Sequence, residues 1–285
     1  MGCLQETMKA DLELRGYSLK TRHEYIRCAR NFVGHYMRPA DQLGEAEVRG
    51  FLLHLLRVRM LRPASHLMYL AAIKFLYTHT LRRPEVVHHI PWPKVPRPLP
   101  DVLSGQEVEA LIGGLRVPGI RAAAMATYGG GLRISETCAL QAGDIDSRRM
   151  NIHVRKGKGD KDRYTLLSQR LLVELRAYWS LVRPSGPCLF VGQRGRPLCR
   201  ETVGDALREA GQECGITKPV HPHALRHAFA THLYEMGTDL QVIQKLLGHE
   251  SIETTQIYAR VTTKKLAGTR SPLDLLGTPE GQVLS

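Results

Sequence analysis

The sequence predicts a mainly α-helical protein of two domains, with a small β-hairpin in the second domain. Apolar residues recur every three to four positions through most of the 285 residues, which is the period of amphipathic helices. A proline-rich stretch over residues 84–101 interrupts this pattern, because proline fixes φ and has no backbone N–H to donate. One short segment, residues 150–167, has apolar ends around a Gly/Asp/Lys turn instead, which is typical of a β-hairpin.

The first domain, residues 1–83, is predicted to consist of four helices. Their approximate ranges are 4–15, 19–37, 45–60 and 64–81. Ser18 is placed to cap the second helix, and Pro63 is placed to begin the fourth. No Asp or Glu occurs between Val48 and Arg83. Because several arginines fall in that stretch, we expect a positively charged face on this domain.

The second domain is predicted over residues 102–270, after a semi-rigid linker at 84–101 and before a tail at 271–285. Its helices are predicted at about 105–115, 119–128, 168–182, 200–213, 223–236 and 239–247, with a last short one after Ser251. Ser104 and Glu107 fit a capping box that opens the first of these helices.

The charge balance points to a polyanionic partner. Forty Lys and Arg against 27 Asp and Glu give a net charge of +13, which attracts nucleic acid or an anionic membrane surface. No run of 18 apolar residues and no secretory signal occurs, so we expect a cytoplasmic protein without a membrane partner. The six cysteines are scattered without a CxxC pair, which indicates reduced thiols rather than a zinc site.

Four segments of the second domain carry residues suited to phosphate chemistry, and each alone has an ordinary explanation. In the first, a glycine triplet at 129–131 precedes Arg133, and Glu136 lies three residues further on the same helical face. In the second, the predicted hairpin turn presents Lys156 and Lys158. Taken singly, these patterns favour the ordinary explanations, a surface ion pair for the first and an exposed turn for the second.

The third and fourth segments add histidines, an arginine and a tyrosine. His223 and Arg226 stand three residues apart at the start of a predicted helix, so both side chains can face one point. Gly248 and His249 follow the last long helix, and Tyr258 comes nine residues after His249. A lone tyrosine is more often a core residue than a nucleophile, so Tyr258 gains weight only from its neighbours.

In this order and spacing, the four segments resemble the tyrosine recombinase (integrase) family. The resemblance covers the catalytic half, from about Val102 to Arg260, and rests on Arg133, a hairpin lysine, His-x-x-Arg, Leu-Gly-His and Tyr258. The N-terminal half is similar to the same family through its Gly-Tyr-Ser start at 16–18. Among subfamilies, the chain looks most similar to integron integrases and Xer-type recombinases.

The resemblance implies a role for each residue in a transesterification at a DNA phosphodiester. Tyr258 is the implied nucleophile, which forms a 3′-phosphotyrosyl intermediate on the way to a Holliday junction. Arg133, Arg226 and His249 would bind the non-bridging phosphate oxygens. Lys158, preferred to Lys156 by alignment with the hairpin of the family, would protonate the leaving 5′ oxygen. The remaining implied roles are proton removal from Tyr258 by His223 and support of the site by Glu136, while His221, His227 and His232 are interpreted as structural.

The resemblance also implies an architecture and partners. The expected fold is a C-shaped, two-domain DNA clamp, in which a SAM-like four-helix core-binding domain precedes the catalytic domain. Double-stranded DNA recombination sites and a homotetramer on DNA are the implied partners, and no cofactor, ATP or metal is implied. Candidate DNA-binding residues are Lys20, Arg22, Arg27, Lys74, Lys94, Arg97, Lys156 and Lys161.

Three alternatives remain open at this stage. A type IB topoisomerase uses similar residues but reseals one strand without a partner site. A catalytically silent, architectural DNA-binding relative is a second alternative, although every active position is filled by a chemically competent residue. A metal enzyme built on His221, His223 and His227 is a third, and it lacks a nearby acid or cysteine to complete a ligand set.

Overall fold

Two compact units, Met1–Arg97 and Pro98–Ser285, make up the chain. The computed structural model describes residues 2–93, 101–155, 162–192, 195–249, 251, 254–256 and 258. As the sequence predicts, the chain is mainly helical and has a small sheet in the second unit. Among the described residues, no helix has both the length and the apolar character needed to cross a membrane.

The first unit packs its helices around an aromatic core. The helices are α1 (Gly2–Leu14), α2 (Leu19–Tyr36), α3 (Glu45–Arg57), α4 (Pro63–Phe75), a π-helical turn (Leu76–Thr80) and α5 (Glu85–His88). Phe32 is fully buried and lies edge-on to Phe51 at 5.3 Å between ring centroids, which is a favourable aromatic geometry. Ser18 caps α2 by accepting a hydrogen bond from the backbone N–H of Thr21, and Pro63 begins α4, as predicted.

Helix α5 corrects one prediction. The stretch from residue 84 onward was expected to exclude any helix, but Glu85–His88 forms one turn. Val86, Val87 and Ile90 are buried in the core of the first unit. Pro84 lies at the N-cap of this turn, where its missing N–H removes no helical hydrogen bond, so the burial of the apolar residues that follow decides the local structure.

The second unit surrounds a buried, alanine-rich helix with other helices and one sheet. Its helices are α6 (Gly105–Gly114), α7 (Pro118–Gly129), α8 (Ile134–Ala139), α9 (Gln169–Val182), α10 (Arg200–Glu213), α11 (Pro222–Glu235) and α12 (Leu240–Leu247). Residues Ala122, Ala123 and Ala124 of α7 are completely buried, because their small side chains let neighbouring elements approach closely. The predicted capping box is present, since Ser104 Oγ accepts from Glu107 N and Glu107 Oε2 accepts from Ser104 N.

The sheet has three antiparallel strands in the order β1 (Ile145–Asp146), β2 (Asn151–Val154) and β3 (Arg163–Leu166). Strands β2 and β3 form the predicted hairpin, with Ile152 paired to Thr165. The sequence did not indicate β1, which is only two residues long. Alternation along β3 places Arg163 and Thr165 on the inward face and leaves Tyr164 exposed.

Candidate active site

The turn that follows α7 brings backbone carbonyls close to the site. Gly131 has φ +60°, and a Cβ atom there would lie 2.3 Å from Cε1 of Phe229, so no other residue fits without moving that ring. The Gly131 carbonyl oxygen accepts a hydrogen bond of 2.7 Å from Arg226 Nη1. The glycine triplet therefore allows the backbone to hold one of the predicted catalytic arginines.

Glu136 fixes Arg133, as the sequence predicts. Its Oε1 accepts from Arg133 Nη1 at 2.8 Å, and its Oε2 accepts from the backbone N–H of Arg133 at 2.7 Å. The guanidinium of Arg133 also reaches the Gly248 carbonyl oxygen at 3.4 Å through Nη2. Arg133 is thus held at both ends, while its side chain keeps 26% of its surface exposed.

The Glu136 carboxylate lies among three guanidinium groups. Besides Arg133, it accepts two hydrogen bonds of 2.8 Å from Arg163, and Arg226 Nη1 lies 3.6 Å from Oε2. Burial alone would raise the pKa of Glu136, but the hydrogen bonds and charge of Arg163, followed by the hydrogen bonds of Arg133, outweigh it and lower the pKa to about 2. Glu136 is therefore ionised at any physiological pH.

Arg226 is the most buried charge of the site. Its side chain is 1% exposed, and Nη1 and Nη2 donate to the carbonyl oxygens of Gly131 and Leu247, each at 2.7 Å. Its Nε is buried without a hydrogen-bond partner among the described residues. Burial and then the positive charge of Arg133 lower the pKa of Arg226 to about 10, so it stays protonated at neutral pH. A buried N–H group without a hydrogen-bond partner costs free energy, and a bound anion that accepts a hydrogen bond from it would remove that cost.

The Leu-Gly-His segment ends α12 and presents His249. Gly248 adopts the left-handed conformation at φ +64° and caps the helix. His249 Nδ1 and Thr255 Oγ1 are hydrogen-bonded at 3.0 Å, so a phosphate would have to be contacted through Nε2. Burial, followed by the charges of Arg226 and Arg133, lowers the pKa of His249 to about 4. The ring is consequently neutral at pH 7.

Tyr258 lies in the same site and is only 1% exposed. Its ring packs with Phe229, Ile243 and Leu247, and its hydroxyl lies 3.1 Å from Nδ1 of His227. Burial raises the pKa of Tyr258 to about 12, while the nearby charges of Arg226 and Arg133 act in the opposite direction. The positive charges of both arginines therefore favour a negative charge on this hydroxyl.

The contact with His227 revises the interpretation of that residue as purely structural. The His223 ring, which was expected to take the proton of Tyr258, packs edge-on against His227 at 4.4 Å between centroids. Burial lowers the pKa of both histidines, to about 4 for His227. A signal was present in the sequence, because residues four apart share a helix face and His227 follows His223 by that step. His221, by contrast, caps α11 by accepting from Ala224 N, as expected of a structural histidine.

Arg163 is a second site residue that no local pattern of the sequence indicates. Besides its two bonds to Glu136, Arg163 Nε donates to the Leu246 carbonyl oxygen at 2.9 Å. Its inward direction follows from the strand alternation shared with Thr165, whose hydroxyl donates to the Gly130 carbonyl oxygen at 2.7 Å. An arginine at a strand start normally faces water, so only the position of Glu136 in the fold explains its burial.

Five of the candidate site and DNA-binding residues lie outside the described residues: Lys94, Arg97, Lys156, Lys158 and Lys161.

Among the N-terminal candidates, Lys20 is exposed, but Arg22 and Arg27 are engaged within the unit. Arg22 Nε donates to the Tyr17 carbonyl oxygen at 2.6 Å, and Arg27 Nη2 donates to Glu24 at 2.6 Å. The ammonium of Lys74 lies 5.0 Å from the centre of the exposed Trp92 ring, and burial lowers its pKa.

The part of the chain that the structure describes contains no group of three or more His, Cys, Asp or Glu side chains that could hold a metal ion. His227 is instead bonded to Tyr258, and His221 caps its own helix. Two of the three histidines considered for a metal site are therefore engaged in other contacts.

Comparison with known protein families matches both units. Residues 101–265 match the model of the Phage integrase family, and residues 4–85 match the model described as Phage integrase, N-terminal SAM-like domain. The chain belongs to the phage integrase family. The prediction of a tyrosine-type site-specific recombinase is confirmed by these matches together with the relatives and structures that follow.

Similar proteins include integrases and Xer recombinases. The chain is 42% identical over 278 residues to the putative integrase/recombinase y4qK of Sinorhizobium fredii, covering 97% of this chain and 90% of that protein. It is 35% identical over 268 residues to the tyrosine recombinase XerA of Thermococcus kodakarensis, covering 92% of each chain.

Solved structures share the fold of this recombinase. XerH bound to its palindromic difH substrate gives a TM-score of 0.71 at 22% identity, covering 89% of this chain and 80% of that one. A lambda integrase dimer bound to a COC′ core site gives a TM-score of 0.73 at 18% identity, covering 90% and 76%. At these identities the likeness establishes the fold, which confirms the predicted helical N-terminal domain and catalytic domain with a small sheet.

Proposed function

We propose that this recombinase cuts and rejoins DNA through Tyr258, with Arg133, Arg226 and His249 binding the scissile phosphate. One observation carries the proposal. The Tyr258 hydroxyl is buried within electrostatic reach of two guanidinium groups that are held rigidly by Glu136 and by backbone carbonyls. Preorganised cations in a water-poor site stabilise a pentacoordinate phosphate far better than mobile cations in water.

The chemistry requires a proton acceptor for Tyr258. A hydroxyl with a pKa of about 12 is ionised at pH 7 in only roughly one molecule in 10⁵. Neutral His227 is hydrogen-bonded to that hydroxyl, and neutral His223 packs beside it. We propose that His227 is the first acceptor of the Tyr258 proton. His223, which the sequence indicated as the sole acceptor, is then the neighbour of that acceptor.

The bonds in the cleavage step balance without a cofactor. As the Oη–H bond of Tyr258 breaks, Oη bonds to phosphorus and the bond from phosphorus to the 5′ oxygen breaks. Lys158 supplies the proton that the 5′ oxygen takes up, and the strand is left as a 3′-phosphotyrosyl ester. Attack by the 5′-hydroxyl of another strand reverses these bond changes and builds a Holliday junction.

The proposals for the oligomeric state, the cellular compartment and the genetic element rest on the family and not on the geometry of the site. We propose that a homotetramer brings together two double-stranded recombination sites in the cytoplasm. We propose further that these sites belong to a mobile element. We propose the sequence-based domain boundaries 1–83, 84–101, 102–270 and 271–285 for this activity, with the first boundary moved to residue 90 because Val86, Val87 and Ile90 pack in the core of the first unit. Among the candidate DNA contacts, Lys20, Lys74, Lys94, Arg97, Lys156 and Lys161 are retained, whereas Arg22 and Arg27 are already bonded within their unit.

Trapping on nicked suicide duplexes tests the nucleophile. We expect the wild-type chain, presented with duplexes tiled over the DNA that flanks its gene, to form a covalent adduct, and Tyr258→Phe to form none while binding DNA as before. The reason is that the substitution removes only the attacking oxygen. Adducts are read by denaturing gel electrophoresis and by sequencing the attached strand.

Tyr128→Phe is a matched control, because the Tyr128 hydroxyl is also bonded to a histidine, His232, at 2.9 Å in the same unit. Adducts formed at wild-type level by Tyr258→Phe would refute the assignment. Exchange of strands between two differently labelled sites separates recombination from the nicking and closing of a type IB topoisomerase.

A further inference from the structure

Arg163 connects three parts of the catalytic unit that meet at the phosphate site. It begins β3, its two terminal nitrogens donate to Glu136 at 2.8 Å each, and its Nε donates to the Leu246 carbonyl oxygen at 2.9 Å. The side chain is 10% exposed. A planar guanidinium that uses three nitrogens on two partners fixes their separation in a way that lysine cannot reproduce.

The contact with Glu136 determines how that carboxylate holds Arg133. Glu136 offers each of its oxygens to both arginines, so the bidentate pair with Arg163 sets the plane in which Arg133 is bound. Without Arg163, the buried carboxylate would have only Arg133 at hydrogen-bond distance and Arg226 at 3.6 Å. Both remaining arginines would then be drawn further toward Glu136 and away from a phosphate.

A second contact places the same side chain against the Leu-Gly-His segment. A Cβ atom on Gly248 would lie 2.9 Å from Cδ of Arg163, so the aliphatic stem of the arginine packs directly on that glycine. The Gly248 carbonyl oxygen in turn lies 3.4 Å from Arg133 Nη2, and the next residue is His249. Arg163 therefore touches the supports of two phosphate-binding groups without being one itself.

We propose that Arg163 is a positioning residue of the phosphate site, which sets the orientation of Arg133 through Glu136 and that of His249 through the end of α12. The inference rests on the proposed function, because it assumes that Arg133 and His249 bind the scissile phosphate. A role confined to stability would instead lower the amount of folded protein and leave the response to the substrate's chemistry unchanged.

Modified scissile phosphates distinguish these roles. Arg163→Lys keeps the positive charge but loses the bidentate geometry of the guanidinium. We expect this variant to cleave an ordinary duplex up to roughly 10²-fold more slowly. On a methylphosphonate duplex, where a neutral methyl group replaces one non-bridging oxygen, less negative charge needs stabilisation and the deficit relative to wild type should shrink. On a 5′-bridging phosphorothiolate, whose sulfur leaves without a proton, the deficit should persist.

Two controls bracket this result. Lys158→Ala should show the opposite pattern, with rescue by the phosphorothiolate and none by the methylphosphonate. Arg155→Lys changes an arginine immediately after β2 that pairs with Asp144 rather than with Glu136, so this variant should cleave all three substrates like wild type. A deficit of Arg163→Lys that is equal on the three substrates, or one rescued only by the phosphorothiolate, would overturn the proposal.

A measurement that needs no DNA keeps this proposal separate from the proposed function. In protein labelled with ¹⁵N-arginine, Arg163→Met should shift the side-chain Nε resonance of Arg133, identified by its loss in Arg133→Lys. The shift should vanish when Glu136→Gln is already present, because the coupling passes through that carboxylate. An unchanged Arg133 resonance in folded Arg163→Met protein would overturn the inference even if wild type cleaves DNA. A complete lack of adducts with wild type would instead count against the proposed function.

Discussion

Three arginines of each unit stand in opposite situations. In the catalytic unit, Arg133, Arg163 and Arg226 share one buried carboxylate and donate to backbone carbonyls. In the N-terminal unit, Arg57, Arg59 and Arg62 are exposed around the loop between α3 and α4 and form no ion pair among the described residues. Charges that are held in a buried site stabilise the charge that develops at one reacting bond, whereas exposed charges attract a polyanion as a whole.

This contrast predicts different effects for mutations of the two kinds of arginine. Loss of a held arginine should change the rate of strand cleavage with little change in the dependence of binding on salt. Loss of an exposed arginine should change the salt dependence of binding and leave the rate on bound DNA unchanged.

The largest effect is expected for Arg133→Ala. Removing a preorganised donor to a developing anion typically costs roughly 10²–10³ in rate. Arg133 is a better test than Arg226, because its side chain is 26% exposed and its removal leaves Glu136 paired with Arg163. The measurement is single-turnover cleavage of a suicide duplex at saturating protein.

Arg170→Ala is the matched control for Arg133→Ala. Arg170 forms a bidentate pair with Glu109 in the same unit, but both side chains are more than half exposed. Exposed pairs contribute little, so cleavage should remain at the wild-type rate. Equal losses in the two variants would show that the buried cluster has no special role.

A smaller effect is expected for His227→Gln, which replaces the ring bonded to Tyr258. Loss of a proton acceptor costs roughly 10²-fold, at the low end for such groups because His223 lies alongside and can substitute. The variant should also be less sensitive to acid. Burial lowers the pKa of His227 from 6.5 to about 4, so unfolded chains bind more protons in that window and wild-type stability falls as the pH drops through it.

Urea unfolding at several pH values between 6.5 and 4 measures that second effect. Between those values the unfolding free energy should decline less steeply in His227→Gln than in wild type. Some slope will remain, because burial also lowers the pKa of His249 to about 4. Identical slopes, with cleavage as fast as wild type, would return His227 to the purely structural role first expected of it.

The sequence was sufficient for most helices and for Arg133, Arg226 and Tyr258, which the structure brings into one site, because helix caps are local patterns and because the order of the four segments resembles one family. Ser18, Ser104 and Gly248 cap helices by contacts within a few residues, and all three are visible in the sequence. His227 and Arg163 were missed because their roles depend on partners 31 and 27 residues away, Tyr258 and Glu136. For Arg163 nothing local distinguishes the side chain from a solvated one, whereas for His227 the four-residue step from His223 was a local signal.

The N-terminal arginines illustrate the same limit. Arg22 and Arg27 were chosen as DNA contacts from their helical positions, yet Arg22 lies 3.1 Å from Glu13 and Arg27 lies 2.6 Å from Glu24. The absence of acids between residues 48 and 83 is also visible in the sequence, and the arginines near the α3–α4 loop form no ion pair among the described residues.

The smallest effect on catalysis, and the sharpest test of the contrast, is expected from the combined variant Arg57→Gln, Arg59→Gln and Arg62→Gln. Each arginine that binds a phosphate releases about one counterion, so the slope of log affinity against log salt should become shallower by roughly one for each phosphate that is no longer neutralised. Cleavage by protein already bound to the duplex should proceed at the wild-type rate. Fluorescence anisotropy over a salt series measures the slope, with Arg22→Gln combined with Arg27→Gln as the comparison. A larger change of slope for the paired arginines than for the unpaired ones would show that freedom from internal ion pairs does not determine which arginines bind DNA. The physical reason would be that an exposed arginine–glutamate pair is weak, so a DNA phosphate can replace the glutamate at little cost.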